Sequence, residues 1–388
     1  MAATMAATAR ARALRAEGHD VIALTLGEPD FPSPPHAVEA AHQAALRGET
    51  RYPPVGGTPA LIAAVLHKFR RDSGLCGDAR NVIVGHGARQ VIYDAMVAML
   101  DEGNEVIVPA PYWNAYPLIA RMAGAVPVFC GCAMADGFVP RPDAIARLIT
   151  ERTRLLVLNS PNNPTGAVYP AAHLEAIAAV LRPHPQLWVL ADDMYEQLIH
   201  DGTPAATLAA VAPDLGPRIL TVSGVSKTYA MTGWRVGYAH GPAGLIEAMG
   251  KVQGQSTGGV SPVAQAAALA ALEGPQERVG EMRAAFARRS RRAAAALNAV
   301  PGLACHQPEG AFYLYPSVAG WLGRRSAGGH TLVADTDVAS ALLEETHVGT
   351  VAGSAFGLSP HLRLSTAADD GSLDEACRRI ASFAQGLV

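Results

Sequence analysis

Asn81-Val82-Ile83-Val84-Gly85-His86-Gly87-Ala88-Arg89 passes from a short apolar run through a glycine-containing turn straight into an amphipathic segment, Arg89–Leu100. The spacing predicts a strand over Asn81–Val84 and a helix after it. Reading outward, the unit repeats: strand Glu105–Val108, helix Trp113–Met122, strand Val126–Cys130, helix Pro142–Ile149, strand Leu155–Leu158, helix Ala171–Leu181 and strand Trp188–Ala191. Strands Ile219–Val222 and Arg235–Ala239 close the series. Short apolar strands alternating with helices make an α/β fold with a mostly parallel sheet covered on both faces. Ligands bind such sheets beyond the carboxyl ends of the strands, so the residues just after each strand are the ones to inspect.

After about Pro275 the texture changes. A long Ala- and Arg-rich helix, Gln276–Ala299, leads to Gly310–Tyr315, a helix near Val338–Glu345 and a strand at Leu362–Ser365. This predicts a smaller α+β domain, completed by the N-terminal segment: residues 46–279 as the large domain, and 1–45 with 280–388 as the small one. The run Arg288, Arg289, Arg291, Arg292 is expected to be a solvated helix face. The chain has 388 residues, is 49% hydrophobic and carries a formal charge of −3, which excludes the basic field of a nucleic-acid binder. Five cysteines, an odd number, argue against a disulfide framework, and Cys130 and Cys132 lack the partner pair of a metal site. No apolar run reaches the roughly 18 residues of a membrane span. The Ala- and Arg-rich start, Met1–Arg15, runs into an amphipathic stretch and then the apolar Val21–Leu26, as a helix at the edge of the fold rather than a transit peptide. A cytoplasmic protein is expected.

Four strand ends carry chemistry. Gly85-His86-Gly87-Ala88-Arg89 opens into a helix whose first N–H groups suit an anion, although Gln90 stands where a dinucleotide fingerprint has its third glycine. An ordinary tight turn reads equally well from that stretch alone. Asn159-Ser160-Pro161-Asn162-Asn163-Pro164-Thr165-Gly166 holds three amides in a rigid turn. Asp192-Asp193-Met194-Tyr195 places carboxylates at the end of a buried strand, where one can cap a turn and the other needs a cation such as a protonated cofactor ring. Ser223-Gly224-Val225-Ser226-Lys227-Thr228-Tyr229 puts a lysine among small residues, where partial burial would poise its amine as a nucleophile toward an aldehyde.

These segments, in this order, resemble the class I/II aminotransferases of pyridoxal-phosphate (PLP) fold type I. The likeness runs from Gly27-Glu28-Pro29-Asp30 to Arg363 and is closest to the aspartate aminotransferase subgroup, through Ser226-Lys227-Thr228-Tyr229-Ala230-Met231-Thr232-Gly233-Trp234-Arg235. The resemblance implies a seven-stranded sheet, and pyridoxal 5'-phosphate held as a Schiff base on Lys227. It implies that Asp192 holds the ring N–H, that Tyr195 and Asn163 bond the phenolic oxygen, and that Trp113 stacks on the ring. Arg235 and Ser226, with the backbone at Gly87, Ala88 and Arg89, would bind the phosphate, and Tyr52 would reach a phosphate across a homodimer interface. Arg363, with the backbone at Gly27, would take the substrate α-carboxylate, and Trp113 and Asn163 would line the substrate side.

The implied reaction moves an amino group from an L-amino acid to a 2-oxo acid in ping-pong fashion. In the aspartate subgroup a lysine often stands where Arg89 does and helps bind a distal carboxylate, so a cation retained here points to acidic or broad-range donors. An oxidase, lyase or cyclase on the same fold would use the same Lys227, Asp192, Tyr195 and Arg363, and the sequence leaves that alternative open.

Overall fold

The computed structural model describes residues 3–388 apart from 201, 204 and 205, with side chains from residue 9 onward. Along the chain the strands are β1 (Ile22–Ala23), β2 (Val82–Gly85), β3 (Glu105–Ala110), β4 (Val126–Gly131), β5 (Thr153–Asn159) and β6 (Trp188–Asp192). Next come β7 (Ile219–Gly224), β8 (Gly237–His240), β9 (Tyr313–Leu314), β10 (Val348–Gly349), β11 (Val351–Ala352) and β12 (Leu362–Ser365). Strands β2 to β8 form one seven-stranded sheet in the order β2-β8-β7-β6-β5-β3-β4. Every pairing in it is parallel except the two made by β8.

The central strands are apolar over most of their length because both faces are covered, whereas the edge strand β4 is largely exposed. Val106, Val108, Leu155, Val157, Leu190 and Leu220 pack to one side with Val91, Ile92 and Ala95 of helix Ala88–Met99. Their neighbours Ile107, Leu156, Leu158, Val189 and Ile219 pack to the other with Leu174, Ile177 and Leu181 of helix Ala171–Leu181. Alternate residues of one strand thus serve opposite cores, as the period of two requires. The register also lines up the carboxyl ends, with Asn159 beside Asp192 and Asp192 beside Val222.

A second core gathers Leu24, Leu297, Trp321, Leu342, Leu364, Ile380 and Phe383 around the antiparallel β11-β12-β9 sheet and the parallel pair β1 and β10. The N-terminal segment therefore contributes a strand to a unit otherwise built from the last hundred or so residues. Between the two cores, Phe286, Phe312, Tyr313 and Tyr195 pack together.

The structure departs from the sequence-based expectations in places. Arg235 precedes β8 and takes a left-handed backbone, φ 57°, where a strand residue was expected. Trp113 lies two residues ahead of helix Ala115–Met122 instead of opening it. Helices Pro35–Leu46 and Pro59–Ser73 went unread; Ala37 and Ala41 of the first pack against Ala267 and Ala271 of helix Pro262–Glu273. Of the arginine run, Arg288, Arg291 and Arg292 are exposed as expected, and Arg289 departs from that reading. Arg289 is buried and pairs with Asp30 at 2.8 Å and Asp370 at 3.0 Å, while Arg292 reaches Asp374 at 2.9 Å.

Candidate active site

Lys227 sits on the single helical turn Val225–Thr228 directly after β7. Its Nζ donates to the carbonyl of Gly27 at 2.6 Å. Burial pulls the amine down to about 8; Glu28 opposes that fall, and Arg235 and Arg363 add to it.

At the end of β6 the Asp192 carboxylate accepts from the Tyr116 hydroxyl at 2.5 Å and the Met194 N–H at 3.2 Å. Burial pushes it up to about 6 against those hydrogen bonds and the Lys227 charge. Both hydrogen-bond donors are neutral, so the carboxylate retains capacity for a cationic partner. The next turn brings the Tyr195 hydroxyl to 2.8 Å from that of Tyr313.

The amides of the β5 loop divide their labour. Asn159 accepts from the Asn163 N–H at 2.9 Å and donates to the Asp192 carbonyl at 2.9 Å, tying two strand ends together. Asn162 closes its own turn by accepting from Thr165. Asn163 alone reaches toward the site, its Oδ1 accepting from Arg363 at 3.2 Å. Arg363 is buried on β12. Its other Nη donates to the Thr25 carbonyl at 2.6 Å, and Nε is left without a partner. The rings of Tyr313 and Phe356 lie 4.9 and 4.8 Å from the guanidinium carbon, so its plane is fixed.

The turn after β2 forms an anion cup. Helix Ala88–Met99 opens there, and its first N–H groups have no acceptor within the helix. Gly87 has φ 83°, and a Cβ on it would come within 2.3 Å of an Arg235 Nη. A Cβ on Gly237 would come within 2.3 Å of the Ala88 nitrogen. Arg235 is held over the cup by donating to the carbonyls of Thr232 at 2.8 Å and His86 at 3.3 Å. Ser226, the residue before Lys227, is buried. Arg89 lies 4.8 Å from the Trp113 ring, and burial together with Arg235 lowers its pKa.

Lys227, Asp192 and Arg363 thus converge with Tyr195, Asn163 and Gly27. Gly87, Ala88 and Arg235 form the cup, Arg89 and Trp113 lie at its border, and Ser226 is buried one residue before Lys227. Tyr52 is fully exposed, and among the described residues no hydrogen bond or ring contact ties it to this group. Three contributors went unread in the sequence. Tyr116 holds Asp192, Tyr313 holds Tyr195, and Thr25 holds Arg363 through a carbonyl. Tyr116 was open to inference, since it stands three residues after Trp113 at the start of a predicted helix.

The family model described as aminotransferase class I and II matches residues 19–380. The chain belongs to the class I and II aminotransferases. It is 49% identical over 384 residues to an aspartate/prephenate aminotransferase of Cereibacter sphaeroides, covering 99% of this chain and 96% of that one. It is 47% identical to an aspartate aminotransferase of Rhizobium meliloti, covering 98% and 92%. Among solved structures, that of an aspartate aminotransferase from Rhizobium meliloti matches with a TM-score of 0.96 at 46% identity, over 99% of this chain and 96% of that one. An aspartate aminotransferase from Thermus thermophilus, solved with maleate, matches with 0.92 at 40% identity, over 99% and 97%. This aminotransferase therefore has fold type I. The family uses PLP, and the relatives matched over nearly the whole chain are aminotransferases, which favours amino-group transfer over oxidase, lyase or cyclase chemistry. Among the described residues no helix is long and apolar enough to cross a membrane.

Proposed function

We propose that this chain carries PLP on Lys227 and transfers the amino group of aspartate or glutamate to a 2-oxo acid, prephenate among the acceptors. The observation that carries the proposal is the position of the Lys227 amine, buried on the turn after β7 and donating to the Gly27 carbonyl at 2.6 Å, where burial also draws it down to about 8. Three features fit the cofactor. Asp192 is a buried carboxyl met, among the described residues, by two neutral hydrogen-bond donors, the cup at Gly87, Ala88 and Arg89 suits a phosphate beneath Arg235 and Ser226, and the Lys227 amine is nucleophilic near neutral pH.

PLP, when bound, supplies an electron sink for the pair left when the substrate Cα–H bond breaks. Asp192 would hold the proton on the ring nitrogen, Tyr195 and Asn163 would hydrogen-bond the ring oxygen, and Trp113 would lie against the ring. Arg363 takes the α-carboxylate with its planar fork, which Asn163 and Thr25 orient in advance. The Lys227 amine accepts the proton from the substrate Cα and can return it elsewhere, because a group with a pKa of about 8 exchanges protons readily at cellular pH. Arg89, propped on Trp113, receives a second carboxylate. The maleate held by the Thermus thermophilus relative is a four-carbon dicarboxylate and supports that choice of substrate.

Fully exposed Tyr52 fits a homodimer in which each chain lends this residue to the other's phosphate cup. The purified protein, mixed with L-aspartate and 2-oxoglutarate, is expected to form glutamate, and with glutamate and prephenate to consume prephenate. Release of ammonia or peroxide without glutamate would overturn the assignment.

A further inference from the structure

Lys68 lies inside helix Pro59–Ser73 at 3% exposure, although a lysine ordinarily keeps its charge in water. Its ammonium pairs with Glu196 and lies 3.9 Å from Asp72. Glu196 also accepts from the Ser223 hydroxyl at 2.6 Å. The positions of these partners are what matter. Glu196 comes directly after Tyr195 and stands four residues after Asp192, while Ser223 stands four residues before Lys227. The backbone supports the same junction, since the Asp193 N–H donates to the Val222 carbonyl at 2.9 Å and the Glu196 N–H to the Asp193 carbonyl at 3.0 Å. One buried ion pair therefore fastens the turn that bears Asp192 and Tyr195 to the strand end that bears Lys227.

We infer that Lys68 is a positioning residue for this aminotransferase, its ion pair with Glu196 fixing the Asp192–Tyr195 turn against the Lys227 loop. Without the ammonium, the largely buried Glu196 carboxylate would keep, among the described residues, only neutral donors, the Ser223 hydroxyl at 2.6 Å and the Ser73 hydroxyl at 3.5 Å, and a charge so poorly compensated is relieved by moving toward water. Because Glu196 is bonded to Ser223 and adjoins Tyr195, that movement shifts both loops. A pair that only supported the fold would change melting temperature and leave the chemistry alone.

The inference rests on the roles given above to Asp192, Tyr195 and Lys227. The test uses purified enzyme loaded with PLP, comparing Lys68→Met and Lys68→Arg with wild type at a temperature well below melting. Lys68→Met is expected to lower kcat and weaken PLP binding by about tenfold each, with the donor KM within about threefold, as for loss of an arrangement used in the transition state. Lys68→Arg, which keeps the charge, is expected to recover at least half of each loss on a logarithmic scale. A folded Lys68→Met enzyme with lowered melting temperature but unchanged kcat and PLP affinity overturns the inference. Should Lys68→Met fail to fold, Glu196→Gln decides: a loss of about threefold or more in both quantities supports the positioning role, and none contradicts it. Failure of the wild type to bind PLP would instead refute the underlying assignment.

Discussion

The Lys227 ammonium and the Gly27 carbonyl, 200 residues apart in sequence, meet at 2.6 Å. This hydrogen bond joins the end of β7 to the segment leading out of β1, and so brings the smaller core's N-terminal strand to the reactive amine. Gly27 also permits a close approach on its other side, where an added Cβ would sit 2.3 Å from the Tyr313 hydroxyl. That hydroxyl bonds Tyr195. Gly27→Ala is therefore expected to displace Tyr313 and with it Tyr195. Overpacking of this kind costs about 1–3 kcal/mol, and kcat/KM for aspartate should fall by roughly 10–100-fold in a protein that still folds. Unchanged kinetics would remove Gly27 from the site.

The lowered Lys227 pKa sets the pH dependence of cofactor attachment. Only the neutral amine attacks an aldehyde, and its fraction rises as pH climbs through about 8, where an ordinary lysine would still be charged. The rate at which cofactor-free enzyme captures PLP should increase from pH 6 to a little above 8 and then level off. A rate still climbing steeply at pH 10 would show an unperturbed lysine.

Arg363→Lys keeps the charge and loses the fork. The ammonium cannot span both the Asn163 Oδ1 and the Thr25 carbonyl while presenting two parallel donors to a carboxylate. One charged hydrogen bond lost is worth about 1.5–3 kcal/mol, so kcat/KM for every amino acid donor should fall by roughly 10–100-fold. Arg89→Ala should instead harm aspartate and glutamate selectively. A panel of acidic and neutral donors separates the two effects.

Asp192→Asn removes the charge that steadies a protonated ring while leaving an oxygen for the Tyr116 hydroxyl or the Met194 N–H. Loss of one preorganised electrostatic partner lowers kcat by roughly 10²–10³-fold, and the fold should survive, since removing a carboxyl that burial pushes up to about 6 relieves a desolvation penalty. Circular dichroism and steady-state rates check both halves.

The parts of this molecule legible in its sequence are those written locally. Buried parallel strands such as Leu155–Leu158 are continuous apolar runs, and the charged residues just beyond strand ends, Asp192 and Lys227, stand out because a charge there has no ordinary use. The antiparallel direction of β8 was not legible, because direction within a sheet depends on how the chain returns across it and leaves no periodicity of its own. Arg363 and Trp113 carry no local signal of a site, and only the family likeness assigned them. Tyr116, Tyr313 and Lys68 escaped for another reason. Each acts on a site residue across a long separation, from 76 residues for Tyr116 and Asp192 to 128 for Lys68 and Glu196, so the partnership exists only once the sheet is assembled.

The central claim is that Lys227 carries the cofactor, and chemical trapping tests it most directly. PLP-loaded wild-type enzyme is reduced with borohydride, digested, and mapped by mass spectrometry, beside Lys227→Ala treated in parallel. The account predicts one modified peptide, bearing the pyridoxyl group on Lys227, and none from the folded Lys227→Ala protein. A pyridoxyl group fixed on any other lysine, or trapped equally well in Lys227→Ala, would contradict it.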